Sequence, residues 1–365
     1  MRITGIRLAN FRNYSSLVLR PDEGLCVLAG DNAAGKTNVL ESIFLCALGR
    51  SHRTSHDTEM LRNSESAGYV GIQLDTLGGN REIECRLTAG ERKRLLIDKT
   101  PLSRSGELLG CLNVVMFAPE DLQIVKGGPT ERRRLIDMEI SQYRPKYYYA
   151  LQQYLAVLKQ RNALLKSPDP TSFATFEPWD DQLSILGANV TMARREHLER
   201  LSAEAVRIHT QLSAGQEELQ VLYKPNLPPV EPPHLIEVLR EALFENLEQD
   251  LSRGFTSVGP HRDDVGLMLD GKDLRIYGSQ GQQRTTVLSL KLAELGILYE
   301  ERSEPPVLLL DDVFSELDKR RQSMLLRVVQ GCQTFITCTH LEELTAAGVV
   351  QMQVYSVSDA TVIEM

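Results

Sequence analysis

A chain of 365 residues, 42% hydrophobic and 25% charged, has enough apolar material for a large core and the size of two globular domains. No apolar run approaches the ~18 residues of a membrane-spanning helix, so no membrane partner is expected. The formal net charge of −8, from 41 Lys and Arg against 49 Asp and Glu, excludes nucleic-acid binding by overall charge and confines any such function to a local basic face.

The first residues, Met1-Arg2-Ile3-Thr4-Gly5, lack the basic-then-apolar form of a signal peptide. The six cysteines (26, 46, 85, 111, 332 and 338) show no CxxC pair or metal-ligand spacing. Both features fit a reducing, cytoplasmic setting.

Strands are expected over 3–8 and 16–19, and the apolar run 25–29 reads as a buried strand. It leads into Gly30-Asp31-Asn32-Ala33-Ala34-Gly35-Lys36-Thr37, which fits G-x-x-x-x-G-K-[ST], and residues from Asn38 to 48 read as helix. Strand, Gly-rich turn and helix follow in the order that a phosphate-cradling loop requires. The glycines allow a tight turn whose backbone N–H groups face phosphate oxygens at the positive end of the helix. Lys36 would reach the outer phosphates, and the Thr37 hydroxyl would ligate Mg²⁺.

Further strands are expected over 68–75, 81–87 and 114–117, with a hairpin turn at Gly78-Gly79-Asn80. Candidate basic faces are Arg50/His52/Arg53, Arg92/Lys93/Arg94 and Arg132/Arg133/Arg134, each equally readable as solvated surface charge. The pattern then turns helical. Thr130-Glu131-Arg132-Arg133 opens an amphipathic stretch after Gly127-Gly128-Pro129, and Leu151, Leu155, Leu158 and Leu165 carry a helical stripe. After the break Ser167-Pro168-Asp169-Pro170, a second stripe runs Leu183, Leu186, Val190, Ala193, His197/Leu198, Leu201, Ala205, Ile208 and Leu212. Steps of three and four predict a coiled-coil-like hairpin or short bundle, with His197 packed rather than ligating. Pro225, Pro228, Pro229, Pro232 and Pro233 mark a connection to a helix over 234–253.

Strand sequence returns at 265–269, and a long helix is expected over 282–301. Val307-Leu308-Leu309-Leu310-Asp311-Asp312 is an apolar strand ending in two carboxylates. Asp311 can hold Mg²⁺ beside the Thr37 hydroxyl, and Asp312 can orient or deprotonate an attacking water.

Tyr277-Gly278-Ser279-Gln280-Gly281-Gln282-Gln283-Arg284 resembles the LSGGQ signature of ATP-binding-cassette ATPases at Ser279, Gly281 and Gln282, and departs from it at Gly278 and Gln280. Phe314-Ser315-Glu316-Leu317-Asp318 resembles the D-loop of the same superfamily. Four more stretches are similar to the RecF family of bacterial recombination mediators: Leu8-Ala9-Asn10-Phe11-Arg12-Asn13-Tyr14; Gly49-Arg50-Ser51-His52-Arg53-Thr54; Phe117-Ala118-Pro119-Glu120-Asp121-Leu122 with Gly127-Gly128-Pro129; and Gly259-Pro260-His261-Arg262-Asp263-Asp264.

The resemblance implies an α/β fold: an ABC-type ATPase head with a mixed sheet, central parallel strands and an antiparallel β subdomain. It implies head segments 1–125 and 255–365 with a helical arm inserted at 126–254. ATP and Mg²⁺ are the implied cofactors. Lys36 and Asp312 map to catalytic roles, Thr37 and Asp311 to the metal, Arg12 to a nucleotide contact, and His340 to the switch histidine. Ser279, Gly281 and Gln282 would meet the γ-phosphate held by a second copy, so an ATP-sandwiched homodimer is implied. No glutamine fills the Q-loop position near 117–120. Implied partners are double-stranded and gapped DNA, and RecR with RecO, so that RecA is loaded; the setting is the bacterial nucleoid. A transporter subunit shares the ATP site but lacks the helical insertion. A chromosome-condensation head needs far longer arms, and an overcoming-lysogenization nuclease needs a Toprim domain after the ATPase.

Overall fold

The computed structural model describes the chain except for residues 168–174, 229, 315–316, 330 and 350. Most of the expected Pro-rich break, Pro229 and the Ser315-Glu316 part of the D-loop-like stretch therefore lie outside the described residues. Residues 1–121 and 291–365 form one compact unit, and residues 122–290 form the other.

The first unit begins with β1 (Arg2–Phe11), β2 (Tyr14–Leu19), β3 (Leu25–Ala29) and α1 (Lys36–Leu48). Strands β4 (Ala67–Thr76) and β5 (Gly79–Thr88) follow, joined at Leu77-Gly78, one residue earlier than the expected turn. The short strands β6 (Arg94–Ile97) and β7 (Thr100–Pro101) precede β8 (Val114–Phe117). One sheet, ordered β2-β1-β4-β5-β6-β7, is antiparallel throughout. The alternation of exposed and buried residues over Ser16–Leu19 of β2 is what one-sided burial produces.

The second unit carries α2 (Gln123–Lys126), α3 (Pro129–Tyr143), α4 (Pro145–Leu165) and α5 (Glu177–Ser213). Proline opens both α3 and α4, where a missing N–H costs nothing. Most of the predicted stripe on α5 is inside: Leu183, Val190, Leu198, Leu201, Ala205, Ile208 and Leu212 are buried, while Leu186 and Ala193 are half-buried. His197 is packed as expected, between the Tyr143 hydroxyl at 3.0 Å and the Glu139 carboxylate at 2.7 Å. Strand β9 (Leu219–Lys224) comes next, and the helix expected over 234–253 divides at Asn246 into α6 (Leu235–Glu245) and α7 (Leu247–Arg253). Then come β10 (Asp264–Leu269), β11 (Lys272–Asp273), α8 (Leu274–Tyr277) and α9 (Gln280–Arg302). The sequence reading returns to the head at 255, whereas residues 255–290 group with the helices. The reason is that β10 pairs with β9, giving a separate sheet β11-β10-β9.

The first unit closes with β12 (Val307–Asp311), α10 (Lys319–Val329), β13 (Thr334–Cys338), α11 (Leu341–Ala346), β14 (Gln353–Ser358) and β15 (Thr361–Glu364). Its second sheet is ordered β15-β14-β3-β13-β12-β8, parallel from β14 to β8 with β15 antiparallel at one edge. Every residue of β3, β8, β12 and β13 is buried, which explains the unbroken apolar sequences of β3 and β8 and of Val307–Leu310 in β12; β13 adds the buried hydroxyls of Thr334 and Thr337.

The second unit buries charge as well as hydrocarbon. Arg161 has no exposed surface; it donates to Asp180 (2.7 Å), Asp250 (2.7 Å) and Thr256 (2.9 Å) and lies over the Phe176 ring. Arg161→Met would leave two buried carboxylates without their cation. It should lower unfolding stability by about 3–5 kcal/mol, measured by urea denaturation of the full chain. A loss below ~1 kcal/mol would show that water reaches both carboxylates.

Candidate functional site

Strand β3 delivers the chain to Gly30, where a Cβ would stand 2.1 Å from the Val357 carbonyl oxygen on β14. Only glycine lets the loop leave the sheet there. The backbone turns left-handed at Ala33 (φ 66°) and Gly35 (φ 117°), and α1 starts at Lys36. Two side chains from the β1–β2 turn brace the loop: the Asn13 amide donates to the Ala34 carbonyl (3.0 Å) and the Tyr14 hydroxyl to the Gly35 carbonyl (3.1 Å). No side chain caps α1; the Asn38 N–H donates to the Gly35 carbonyl at 3.0 Å, which leaves the Lys36 and Thr37 N–H groups to an anion. Lys36 is buried, and its ammonium donates to the loop's own Gly30 and Asp31 carbonyls at 2.6 and 2.9 Å. Asp31, Asn32 and Ala33 form the exposed rim.

The residues expected to hold the metal meet. Thr37 Oγ1 donates to Asp311 Oδ1 at 2.8 Å across 274 residues of sequence. Thr337 Oγ1 donates to the same oxygen at 2.8 Å and accepts from the Asp312 N–H at 2.9 Å. Burial pushes the Asp311 carboxyl above the usual range; the hydrogen bonds from Thr337 and Thr37 oppose this, and the charges of Glu120 and Asp312 add to it. A divalent cation would relieve that penalty. Among the described residues no group of three or more His, Cys, Asp or Glu is placed to hold a metal. A hydroxyl and one carboxylate suit Mg²⁺, which keeps its other positions for phosphate oxygens and water.

Asp312 follows with a left-handed backbone (φ 51°), a conformation uncommon for a non-glycine residue. His340 lies two residues beyond β13 and is exposed. Because Thr337 pairs with both Leu28 and Asp311, the phosphate loop, Asp312 and His340 all leave the same carboxyl end of the sheet. Residues 118–121 follow β8 at that end too, since Phe117 pairs with Leu310. Glu120 there stands where the sequence offers no glutamine.

Arg12 (φ 54°) is committed to the protein. Its Nε and Nη2 donate to Glu41 (2.8 and 2.5 Å) and its Nη1 to the Glu59 carbonyl (2.6 Å). Glu41 is wholly buried on α1 and also accepts from Ser51 (2.5 Å). Burial alone would raise its carboxyl, but the Arg12 and Ser51 hydrogen bonds outweigh it and hold the group below its ordinary value. Arg12 also lines a polar cavity of about 510 Å³ with Asn13, Asn38, Arg53, Arg62 and Asn63. There the Asn38 amide donates to Asn13 (2.8 Å) and Arg53 donates to Asn38 (2.9 Å).

Two of the basic clusters are partly engaged within the protein, while Arg92 and Arg134 are exposed. Lys93 pairs with Asp57 at 2.7 Å and Arg94 with Glu91 at 3.4 Å. Buried Arg132 makes a fork with Asp264 (2.7 and 3.0 Å), and Arg133 donates to the Asp263 carbonyl (2.6 Å).

The signature-like stretch belongs to the other unit. Ser279 Oγ accepts from the Gln282 N–H (3.2 Å), and Gln282 Oε1 accepts from the Ser279 N–H (2.8 Å). This is a reciprocal capping box at the start of α9. The Gln282 amide donates in turn to Glu217 (3.0 Å). Sequence reasoning gave no role to Glu217, Thr337, Glu41, Ser51 or Tyr14, although Tyr14 and Ser51 lie within the family-like stretches 8–14 and 49–54. The S-x-x-Q spacing names the box but not Glu217.

Residues 2–362 match the family model of the RecF/RecN/SMC N-terminal domain. The chain is 44% identical over 348 residues to the DNA replication and repair protein RecF of Alkaliphilus oremlandii, covering 94% of this chain and 95% of that one. It is 40% identical over 370 residues to the protein of the same name from Bacillus cereus, covering 99% and 98%. It superposes on the recombination mediator protein RecF with ATP, of the RecFOR pathway, with a TM-score of 0.92 at 35% identity, covering 100% and 97%. An Smc head domain from Pyrococcus furiosus shares the fold at a TM-score of 0.59 and 16% identity. The chain belongs to the RecF family, and its fold is that of the ABC-type ATPase head.

His52 shows how the site's surroundings respond to pH. Its ring stands edge-on to Phe44 (centroids 5.3 Å apart), and neither ring nitrogen has a hydrogen-bond partner. Burial pushes it down to about 4, against the attraction of Glu41 and Glu120 and with the repulsion of Arg53 and Arg12. Between its unfolded value of about 6.5 and that folded value, the unfolded chain binds the extra proton, so stability falls as pH drops through this window. His52→Phe should remove on the order of 2–3 kcal/mol of that acid loss. Denaturation midpoints at pH 7 and pH 4.5 read it; equal slopes for both proteins would show that His52 protonates without cost.

Proposed function

We propose that this member of the RecF family is an ATP-dependent DNA-binding protein of recombinational repair and replication restart. Two copies close over two ATP molecules, the closed dimer holds duplex DNA near single-strand gaps, and slow, DNA-dependent hydrolysis releases it. With RecO and RecR, it assists the loading of RecA. The observation that carries the reading is the Thr37–Asp311 contact at 2.8 Å, which joins the two halves of a nucleotide site from opposite ends of the chain.

Thr37 and Asp311 are the residues that would hold Mg²⁺, which when bound neutralises charge on the β- and γ-phosphate oxygens. Lys36 exchanges its Gly30 and Asp31 carbonyl partners for phosphate oxygens. Asp312 accepts the proton of the attacking water at its carboxylate, and Thr337 holds its backbone in place. His340, at the same sheet end, serves as the switch beside the γ-phosphate. Ser279, Gly281 and Gln282 at the N-terminus of α9 bring hydrogen-bond donors and a helix dipole to the phosphate held by the second copy. With a net charge of −8, DNA is held by local Lys and Arg contacts to phosphates, with little reading of sequence.

DNA binding measured with ATP, with ADP and without nucleotide across a salt series tests the reading. ATP-stimulated, salt-weakened binding is expected; indifference to nucleotide would sink it. Asp312→Asn should retain ATP binding, lower hydrolysis by about 10²-fold or more, and prolong the DNA-bound dimer. Wild-type release rates in that variant would assign water activation to another residue. Lys36→Arg should abolish ATP-dependent dimerisation in sedimentation, and a wild-type dimer fraction would deny Lys36 its phosphate contact.

A further inference from the structure

The capping box at α9 does not stand alone. Glu217 lies in the turn after α5, where Ala214 (φ 59°) and Gly215 (φ 72°) reverse the chain. Its Oε1 accepts from Gln282 Nε2 at 3.0 Å, and its Oε2 lies 3.1 Å from His209 Nε2. His209 belongs to the end of α5, is fully buried, and places Nδ1 3.2 Å from the Ser289 hydroxyl, which itself donates to the Thr285 carbonyl on α9. One carboxylate therefore ties α5 to α9 at the residue that caps it.

The chemistry of the amide gives this tie a direction. The Gln282 side chain has an oxygen end and an NH₂ end that fit the same space. Reversed, its oxygen would face the Glu217 carboxylate and its NH₂ would face the Ser279 N–H, so both contacts would be repulsive. With the carboxylate present only the observed orientation holds, and it is the one in which Oε1 accepts from Ser279. Gln283 secures the same loop from the other side, donating to the Gly278 carbonyl at 3.2 Å. Ser279 is otherwise exposed and would be free to fray with the helix end.

We propose that Glu217 is the positioning residue of the signature serine: it sets the Gln282 amide, the amide holds Ser279, and His209 couples that hold to the end of α5. In the dimer proposed above, on which this last step rests, a load on α5 reaches the γ-phosphate site through one carboxylate and one amide.

Backbone amide exchange at Ser279 in the nucleotide-free full chain tests the positioning. Glu217→Ala should accelerate it at least about tenfold, the loss expected when a hydrogen bond to a charged group goes. Glu217→Gln, which keeps an acceptor for Gln282 but can also donate to the reversed amide, should accelerate it clearly less than E217A, and residues 30–37 should exchange unchanged in both. No acceleration in E217A overturns the proposal. Equal acceleration in both variants, or in residues 30–37, overturns it as well, because general loosening rather than one acceptor would be responsible. In ATP, E217A should need about tenfold more protein to dimerise than E217Q. A wild-type chain that stays monomeric in ATP counts against the dimer, while the exchange result still decides the role of Glu217.

Discussion

The proposed nucleotide site depends on one buried carboxylate being shared by three segments. In the parallel sheet β13 lies between β3 and β12, so the strand that feeds the phosphate loop and the strand that ends in Asp311 are not neighbours. Two strand spacings, about 9–10 Å, separate them. The loop must carry Thr37 past the end of β13, and Thr337 on β13 fills the space below by binding Asp311 Oδ1 and the Asp312 N–H together. The strand order thus explains why a threonine ends an apolar run there. Gly30 is glycine for a separate reason: β14 flanks β3 on the side away from β12, and a Cβ at residue 30 would stand against its Val357 carbonyl oxygen.

The same economy governs the polar shell around the loop. Glu41, on the helix that the phosphate loop opens, would be costly to bury alone; Arg12 and Ser51 keep it ionised. Arg12 reaches it only because the β1–β2 turn puts Arg12 in a left-handed conformation, and the neighbouring Asn13 and Tyr14 then fall onto Ala34 and Gly35. A four-residue stretch, Phe11-Arg12-Asn13-Tyr14, therefore sets the position of a loop some twenty residues later. The Arg12 guanidinium holds α1 and also lines the cavity with Asn13, Asn38 and Arg53. In the helical unit much of the Gly259-Pro260-His261-Arg262-Asp263-Asp264 block is likewise engaged within the protein, while Arg262 is exposed. His261 meets the Tyr154 hydroxyl at 2.6 Å, Asp263 accepts from the Asn226 N–H at 2.7 Å, and Asp264 holds Arg132.

What the sequence made legible follows from the range of each interaction. The phosphate loop and the strands 25–29, 114–117 and 307–310 were readable because local spacing and unbroken apolar runs carry them. The α5 stripe was readable for the same reason. The short strands β6, β7 and β9 were not, since each is stabilised by its partner strand more than by its own composition. The grouping of residues 255–290 with the helices has the same ground: β10 looks like any strand until its pairing with β9 is known. Thr337, Glu41 and Glu217 were invisible because their roles exist only across contacts of long sequence separation or around a turn.

The departures of Gly278-Ser279-Gln280-Gly281-Gln282 from LSGGQ lose their force once the local geometry is known. A capping box needs a hydroxyl at the N-cap and an amide or carboxylate three residues on. Those positions are Ser279 and Gln282, and both match. Gln280 falls at the first helical position and is exposed, where a glutamine is a good helix former and touches neither half of the box. Gly278 falls before the cap, where its carbonyl accepts from Gln283 and a Cβ would stand 2.5 Å from the Leu274 carbonyl oxygen. The loss of the usual leucine thus accompanies a tighter approach to α8 that only glycine allows. The two substitutions leave intact the two residues whose hydrogen bonds define where the serine stands.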